Sequence, residues 1–466
     1  MLRQLRTNLS SSILLLACLI TGANELQPLY WAAWVSGPAL LVFFALEWKR
    51  LAGVARLLIS GALLLLIIFS AQDGVSLEIL SKSINRGAFL AVFVTVLNIL
   101  KDSAQSSRLI RECGAVIVNQ PPGRRYTMLT LGGHLFGVLL NLGTLSLLGT
   151  MIRRTIDTSQ KNVEPRIREI RLQRMTLAIL RGFAAVPLWA PTSITIVIVL
   201  SGMPELSWFD LLPFGLSGAV LFIATGWAVD RLSFPRAKRI EKRYTLKQIF
   251  LTLLPLFILV VILPGIAFGV AQFLSVRLTS AMLICIPIFG LCWIFIQYLR
   301  RGAIRAFFLT TRRMHRRLLP SFSELRSEIG IFYCSGFLSI LLLSQIDIGA
   351  LGNMIVANGL NEGWTLVLFS WVIIIASVAG INPIITMTLS MEILQQLPGM
   401  NIQLTMIALM VTMTWAIAVN LAPIGASIRL ISYCIQKPPS EIAFHWNAVF
   451  SLVMLSLLSV FLLIFG

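Results

Sequence analysis

The sequence predicts an all-α polytopic membrane protein, with about eleven transmembrane helices and two re-entrant hairpins in an inverted repeat. Three observations predict it. The 466 residues are 57% hydrophobic and 12% charged, where soluble domains carry about a quarter charged residues. Mean hydropathy is +0.87, and apolar runs repeatedly reach the roughly 20 residues that cross a bilayer. The basic residues gather in loops that fall on one side if the runs alternate in direction.

The runs place spans near 9–24, 29–48, 57–72 and 86–100, then a basic stretch with Lys101, Arg108, Arg111, Arg124 and Arg125. The first run follows Arg3 and Arg6 and has the look of a signal peptide; we expect it to be retained as an extra N-terminal span, 1–28. The run 126–152 has a basic pair at each end, Arg124-Arg125 and Arg153-Arg154. A single crossing would put one pair outside, so 126–152 reads as a hairpin entering and leaving on the inner side. The run 175–201 crosses outward and is interrupted at Pro187 and at Ala190-Pro191-Thr192-Ser193. A span near 211–230 then returns to a basic cytoplasmic linker, 231–247.

Further spans are expected near 248–270, 280–299 and 328–345. The run 365–394 carries no basic residue at either end and is broken at Ala379-Gly380-Ile381-Asn382-Pro383, so it reads as a hairpin entering from the outer side. The run 402–435 crosses inward with a break at Asn420-Leu421-Ala422-Pro423-Ile424-Gly425, and a last span near 443–465 leaves the C-terminus outside. Repeat 1 (29–230) and repeat 2 (248–466) thus read alike, with three spans, a hairpin, a broken span and a span, and they start on opposite sides.

Hairpin tips and helix breaks leave backbone groups without helical partners. Helix N-termini suit anions and freed carbonyls suit Na+. The candidate substrate and ion ligands are Asn141, Thr144, Thr192, Ser193, Thr195, Asn382, Thr386, Asn420 and Ser427. Gly143, Gly380 and Gly425 would allow close backbone approach, and Pro191, Pro383 and Pro423 would start the returning helices. Four ionisable residues are candidate charge partners. Arg181 and Arg429 could pair with a substrate anion or snorkel, His134 could relay protons or be a hydrogen-bonded structural residue, and Glu392 could be a proton site or lie near the outer surface. Nearly all of the 19 acidic residues lie in loops or at span ends, which points away from a cation antiporter and toward an anionic or neutral substrate.

This order of elements resembles the ion transporter superfamily, which includes divalent anion/sodium symporters, citrate transporters and arsenite permeases. The resemblance covers about 29–465. In the divalent-anion branch each hairpin tip carries a Ser-Asn-Thr triplet that binds substrate and sodium. The matching tips here hold Asn141 with Thr144 and Asn382 with Thr386, without that triplet. The resemblance implies a secondary active transporter, an elevator motion of the hairpin-bearing part against a scaffold, and a homodimer.

The expected substrate is a small organic anion such as a di- or tricarboxylate, coupled to Na+ or H+ across a bacterial-type inner membrane, with the N-terminus inside. Three rivals stand beside this: a membrane subunit served by a periplasmic binding protein, an inorganic oxyanion or metalloid efflux permease, and a membrane-embedded synthase or scaffold. No P-loop, metal-ligand cluster or nucleophile set with local context is visible, so no enzyme activity, metal or cofactor beyond Na+ is expected. The net charge of +19 is accounted for by the inner loops rather than by nucleic acid, and the six cysteines read as small hydrophobes.

Overall fold

The computed structural model describes residues 2–72, 75–159, 164–234 and 245–466. Most of the expected linker 231–247 therefore lies outside the described residues, including Arg236, Lys238, Arg239, Lys242 and Arg243. Among the described residues there are helices and no strands. In hydrocarbon every backbone polar group needs a partner within the segment, and a helix supplies it.

In chain order the first half is α1 (Leu2–Leu26), α2 (Ala32–Glu47), α3 (Gly53–Gln72), α4 (Leu77–Ser106), α5 (Arg108–Val118), α6 (Pro122–Leu140), α7 (Gly143–Ser159), α8 (Pro165–Ala184), α9 (Ile194–Gly202) and α10 (Trp208–Ser233). The second half is α11 (Leu246–Leu274), α12 (Leu278–Tyr298), α13 (Ala303–Arg313), α14 (Leu319–Phe322), α15 (Arg326–Leu343), α16 (Ile348–Ala357), α17 (Glu362–Val378), α18 (Pro383–Leu394), α19 (Leu404–Leu421), α20 (Ala426–Ile435) and α21 (Ala448–Phe465).

The chain is a polytopic membrane protein. Nine helical stretches among the described residues are long and apolar enough to cross a bilayer, or ten if the bent pair α16–α17 is one span. The sequence reading has eleven. The two extra spans are α2, which has only 16 residues, and the pair α8–α9, which a break splits into a basic first half and a nine-residue second half. Runs of apolar residues do not reveal α5, α13 or α16. The first two carry polar faces, and α16 is a short helix bent by 114° against α17.

The chain forms two compact units. One comprises residues 1–104 and 263–348, the other 105–262 and 349–466. In the first, α1 packs on α2, and α3 on α15. A Cβ on Gly87 would stand 2.7 Å from the Tyr333 carbonyl oxygen, and one on Gly336 2.8 Å from that of Arg86, so α4 and α15 meet backbone to backbone. Glu47 is fully buried and ties this unit together. It accepts from Ser10 of α1 at 3.0 Å and pairs with Arg50 at 3.3 Å and with Arg326 of α15 at 4.0 Å.

The second unit holds both expected hairpins and both expected broken spans. Its α6 and α8 are in close contact because glycines line the crossing. A Cβ on Gly182 would lie 2.0 Å from the Thr130 carbonyl oxygen, and one on Gly133 2.5 Å from that of Ile179. One end of this unit is basic. There Arg174 of α8 makes a bidentate bond to Asp230 of α10, at 2.9 and 2.6 Å. Lys437, just past α20, reaches Glu169 of α8 at 2.5 Å, and that carboxylate raises the Lys437 ammonium above its ordinary value. Tyr126, near the start of α6, donates to the Gly226 carbonyl of α10 at 2.9 Å, and Arg153, toward the end of α7, donates to the Ile435 carbonyl at 3.1 Å. Both limbs of the α6–α7 hairpin therefore open toward the same, basic end. The α17–α18 hairpin is placed otherwise. The start of α17 meets the end of α21, where a Cβ on Gly363 would lie 2.7 Å from the Leu462 carbonyl oxygen, and the Asn401 N–H beyond α18 faces the Glu362 carboxylate at 3.5 Å.

Candidate functional site

The tip of the first hairpin turns at Asn141, whose φ of +50° with ψ of −134° lies outside the left-handed helical region, in a conformation that glycine favours. The Asn141 side chain accepts from the Leu142 N–H at 2.8 Å, and the Asn141 carbonyl accepts from the Thr144 N–H at 2.9 Å. Gly143 and Thr144 begin α7 and are buried. The Thr144 hydroxyl is fully buried and has no hydrogen-bond partner.

The first broken span meets this tip. After α8 the chain makes one 3-10 turn (Val186–Leu188), and α9 then starts under a Ser193 cap that accepts from the Thr195 N–H at 3.3 Å. The Thr192 hydroxyl donates to the Val138 carbonyl of α6 at 2.8 Å. That carbonyl needs a donor, because the Leu142 N–H that would continue the helix has gone to Asn141 instead. Pro191 and the rest of the break are buried. The Thr195 hydroxyl, also buried, has no partner.

A chain of side-chain bonds fixes this break. Trp208 Nε1–H donates to the Trp189 carbonyl at 2.8 Å, and Trp189 Nε1–H donates to His134 Nε2 at 3.0 Å. His134 Nδ1 lies 3.2 Å from the Gly182 carbonyl oxygen. Since Nε2 accepts, the proton sits on Nδ1, and the ring is neutral in one tautomer. Both His134 nitrogens are thus engaged in positioning the break.

The second hairpin tip is built differently. Gly380, at φ +97°, ends α17, and the Ile381 N–H bonds back to the Ala376 carbonyl at 2.9 Å. This is the Schellman closure that glycine permits. Asn382 then caps α18 by accepting from the Ile384 N–H at 2.9 Å, and Pro383 occupies the first helical position. Thr386 donates to the Pro383 carbonyl at 3.2 Å. The tip's side-chain oxygens are consumed by its own turn. It lies beside the second break, where a Cβ on Gly380 would be 2.9 Å from Ile424.

At that second break the Val419 carbonyl would ordinarily accept from residue 423, which is Pro423 and has no N–H. The Ser427 hydroxyl supplies the bond instead, at 2.9 Å. α20 starts after Gly425 with no side-chain cap, so its first N–H groups are uncommitted. Asn420 is fully buried. Its amide donates to the Ala416 carbonyl at 3.0 Å, while its Oδ1 has no partner.

Three buried side-chain oxygens without partners, on Thr144, Thr195 and Asn420, therefore sit at the first tip, the first break and the second break. Their elements pack together: α6 on α8, α7 on α20, and α19 on α9 and on the turn 186–188. Leaving such a group unpaired costs about 1–3 kcal/mol, and other buried hydroxyls in this unit, such as those of Thr176 and Thr414, are also unpaired. What sets the three apart is their place at helix interruptions.

The charged candidates lie elsewhere. Arg181 is 1% exposed. It donates to Asn447 Oδ1 at 3.2 Å, to the Tyr126 hydroxyl at 3.1 Å and to the Gly226 carbonyl at 3.1 Å, with its guanidinium 4.4 Å from the Phe450 ring centroid. This joins α6, α8, α10 and α21. Arg429 is exposed, three residues into α20, and Glu392 is half-buried near the end of α18. Sequence reasoning missed Trp189, Trp208, Tyr126 and Asn447 as positioning residues. Only Trp189 carried a signal, by lying in the broken run. Among the described residues no His, Cys, Asp and Glu group could hold a metal ion.

No family model matches the chain, and no curated protein does. Among solved structures, the YdaH transporter of Alcanivorax borkumensis is similar, with a TM-score of 0.48 at 13% identity over 88% of this chain and 97% of that one.

Proposed function

We propose that the chain is a secondary active transporter of a small organic anion such as a di- or tricarboxylate, coupled to Na+ or H+. The observation that carries this reading is the set of unpaired buried oxygens on Thr144, Thr195 and Asn420, at interruptions of three packed elements. Three helices, α7, α9 and α20, begin at these interruptions, and α18 begins at the second tip. Their N-termini carry partial positive charge that suits an anion, while hydroxyl and carbonyl oxygens suit a desolvated cation. No acidic residue lies in the breaks or at the hairpin tips, so the ligands are neutral. Asn382 and Ser427, bound within their own turns, shape the site, and the uncapped α20 offers its N–H groups to the anion.

The two opposed hairpins make an inverted repeat the natural reading of the two halves. The gathering of both hairpins and both breaks in one compact unit supports an elevator motion of that unit against the other, which would serve as the dimerising scaffold. The positive-inside rule places the basic end in the cytoplasm. This gives an inner-membrane protein with its N-terminus inside and its C-terminus outside.

The test is thermal unfolding of the purified protein against carboxylates and inorganic oxyanions, in Na+ or K+ and at two pH values. A ligand at 100 times its Kd stabilises by about 2.7 kcal/mol. One anion class should shift the transition, and the shift should depend on Na+ or on pH. No shift with any anion, together with full stability of the protein alone, would overturn the anion-transporter reading.

A further inference from the structure

The first compact unit contains a cavity of about 510 Å³ that none of the candidate transport residues lines. Volumes of this order suit a ligand of moderate size. Its walls come from α1, α2, the 3-10 turn Trp48–Arg50 that follows α2, and α3, and include Arg6, Leu41, Phe44, Trp48, Lys49 and Leu63. The chemistry is divided by position along α2. Trp48 and Lys49 lie at the helix end, and Leu41 lies two turns further into the apolar run. Leu41 and Leu63 are 41% and 43% exposed, so the apolar arm opens on the surface that faces lipid in a membrane-spanning helix.

The two cations lack an acidic partner among the described residues. Glu47 is the nearest acid in sequence, but it is fully buried and committed to Ser10, Arg50 and Arg326. The Arg6 Nε is buried and has no hydrogen-bond partner. A guanidinium and an ammonium thus line an apolar cleft together with an indole, the side chain that favours the membrane interface.

We propose that this cavity binds an anionic phospholipid. Its phosphate bonds the Arg6 guanidinium and Lys49, its glycerol region lies against Trp48, and one acyl chain follows Leu41 and Leu63. A guanidinium and an ammonium both take phosphate through charge-assisted bonds. This inference rests on the membrane embedding of α1–α3 and not on the transport reading.

Native mass spectrometry of the full chain, purified after equilibration with equimolar phosphatidylglycerol and phosphatidylcholine, tests it. The wild type should retain phosphatidylglycerol at least threefold over phosphatidylcholine. R6Q/K49Q should abolish that preference, while R300Q/R301Q, which removes two exposed arginines of the same unit, should keep it. Leu41→Trp fills the apolar arm without changing charge and should also reduce retention, which decides the matter if R6Q/K49Q fails to fold. Equal retention of the two lipids, or an unchanged preference in both R6Q/K49Q and Leu41→Trp, overturns the proposal. Displacement of bound phosphatidylglycerol by millimolar glycerol phosphate would mark a soluble phosphate site and overturn it as well.

Discussion

The Thr192 hydroxyl donates at 2.8 Å to the Val138 carbonyl and so fastens the first break to the tip of the first hairpin. The bond uses a carbonyl that the end of α6 leaves free, and it ties the Pro191 break to the last turn before Asn141. Thr192→Val keeps the volume and removes the donor. The Val138 oxygen is then buried without a partner, which costs about 1–3 kcal/mol. Thermal unfolding should show that loss. If the chain transports as proposed, transport should fall further than stability does, because the tip and the break lose their register.

The three unpaired oxygens make a prediction of opposite sign. Replacing Thr144 or Thr195 by Val removes a buried hydroxyl that has no protein partner. Such a change should leave the ligand-free protein as stable as the wild type or more so. If the proposed anion or coupling ion binds there, its apparent affinity, read from the thermal shift, should fall at least tenfold. A Thr144→Val variant that is destabilised and still binds fully would show that the hydroxyl is structural.

The breaks were legible because Pro, Gly and Asn interrupt otherwise apolar runs, and those residues have fixed backbone consequences. Asn141 turns at positive φ, Gly380 closes α17, and Pro423 denies Val419 its helical donor. What joins the breaks was not legible. The Trp208–Trp189–His134–Gly182 chain depends on contacts between separate helices, and no local spacing encodes them. The residues of tip 2 show the same limit. Asn141 and Asn382 look equivalent in sequence, yet Asn382 serves as an ordinary helix cap. The helices α5 and α13 escaped a search for apolar runs because their apolar residues are spaced around a polar face.

Gly182 is where the packing of the second unit is least tolerant. A Cβ there would stand 2.0 Å from the Thr130 carbonyl oxygen and 2.8 Å from its carbon, both backbone atoms that no rotamer change can move. Gly182→Ala must separate α6 from α8, at a cost of about 1–3 kcal/mol or more. It should also disturb His134, which contacts the Gly182 carbonyl. Gly61→Ala, in a helix with nothing within 4 Å of the new methyl, should be neutral. Size-exclusion profiles and melting temperatures of the two variants compare them directly.

Arg181 has three protein acceptors and an aromatic face around it. If these define its role, Arg181→Lys should destabilise the protein, because a single ammonium cannot reproduce the fork or the stacking. The loss should appear equally with and without ligand. A substrate-pairing arginine would behave otherwise, with Arg181→Lys weakening the anion's affinity at constant melting temperature. Measuring both quantities on one variant separates the two roles.

The hairpin geometry predicts labelling from solution. In a cysteine-free background, cysteines at exposed positions Gly123, Glu164 and Ser440 lie toward the basic end of the second unit. All three should react with an impermeant maleimide only from the cytoplasmic side. A cysteine at Asn401, beside the start of α17, should react only from the opposite side. Gly123 and Glu164 flank the first hairpin and its return, so labelling them from opposite faces would mean that α6 and α7 form a single crossing, and the re-entrant geometry would be wrong.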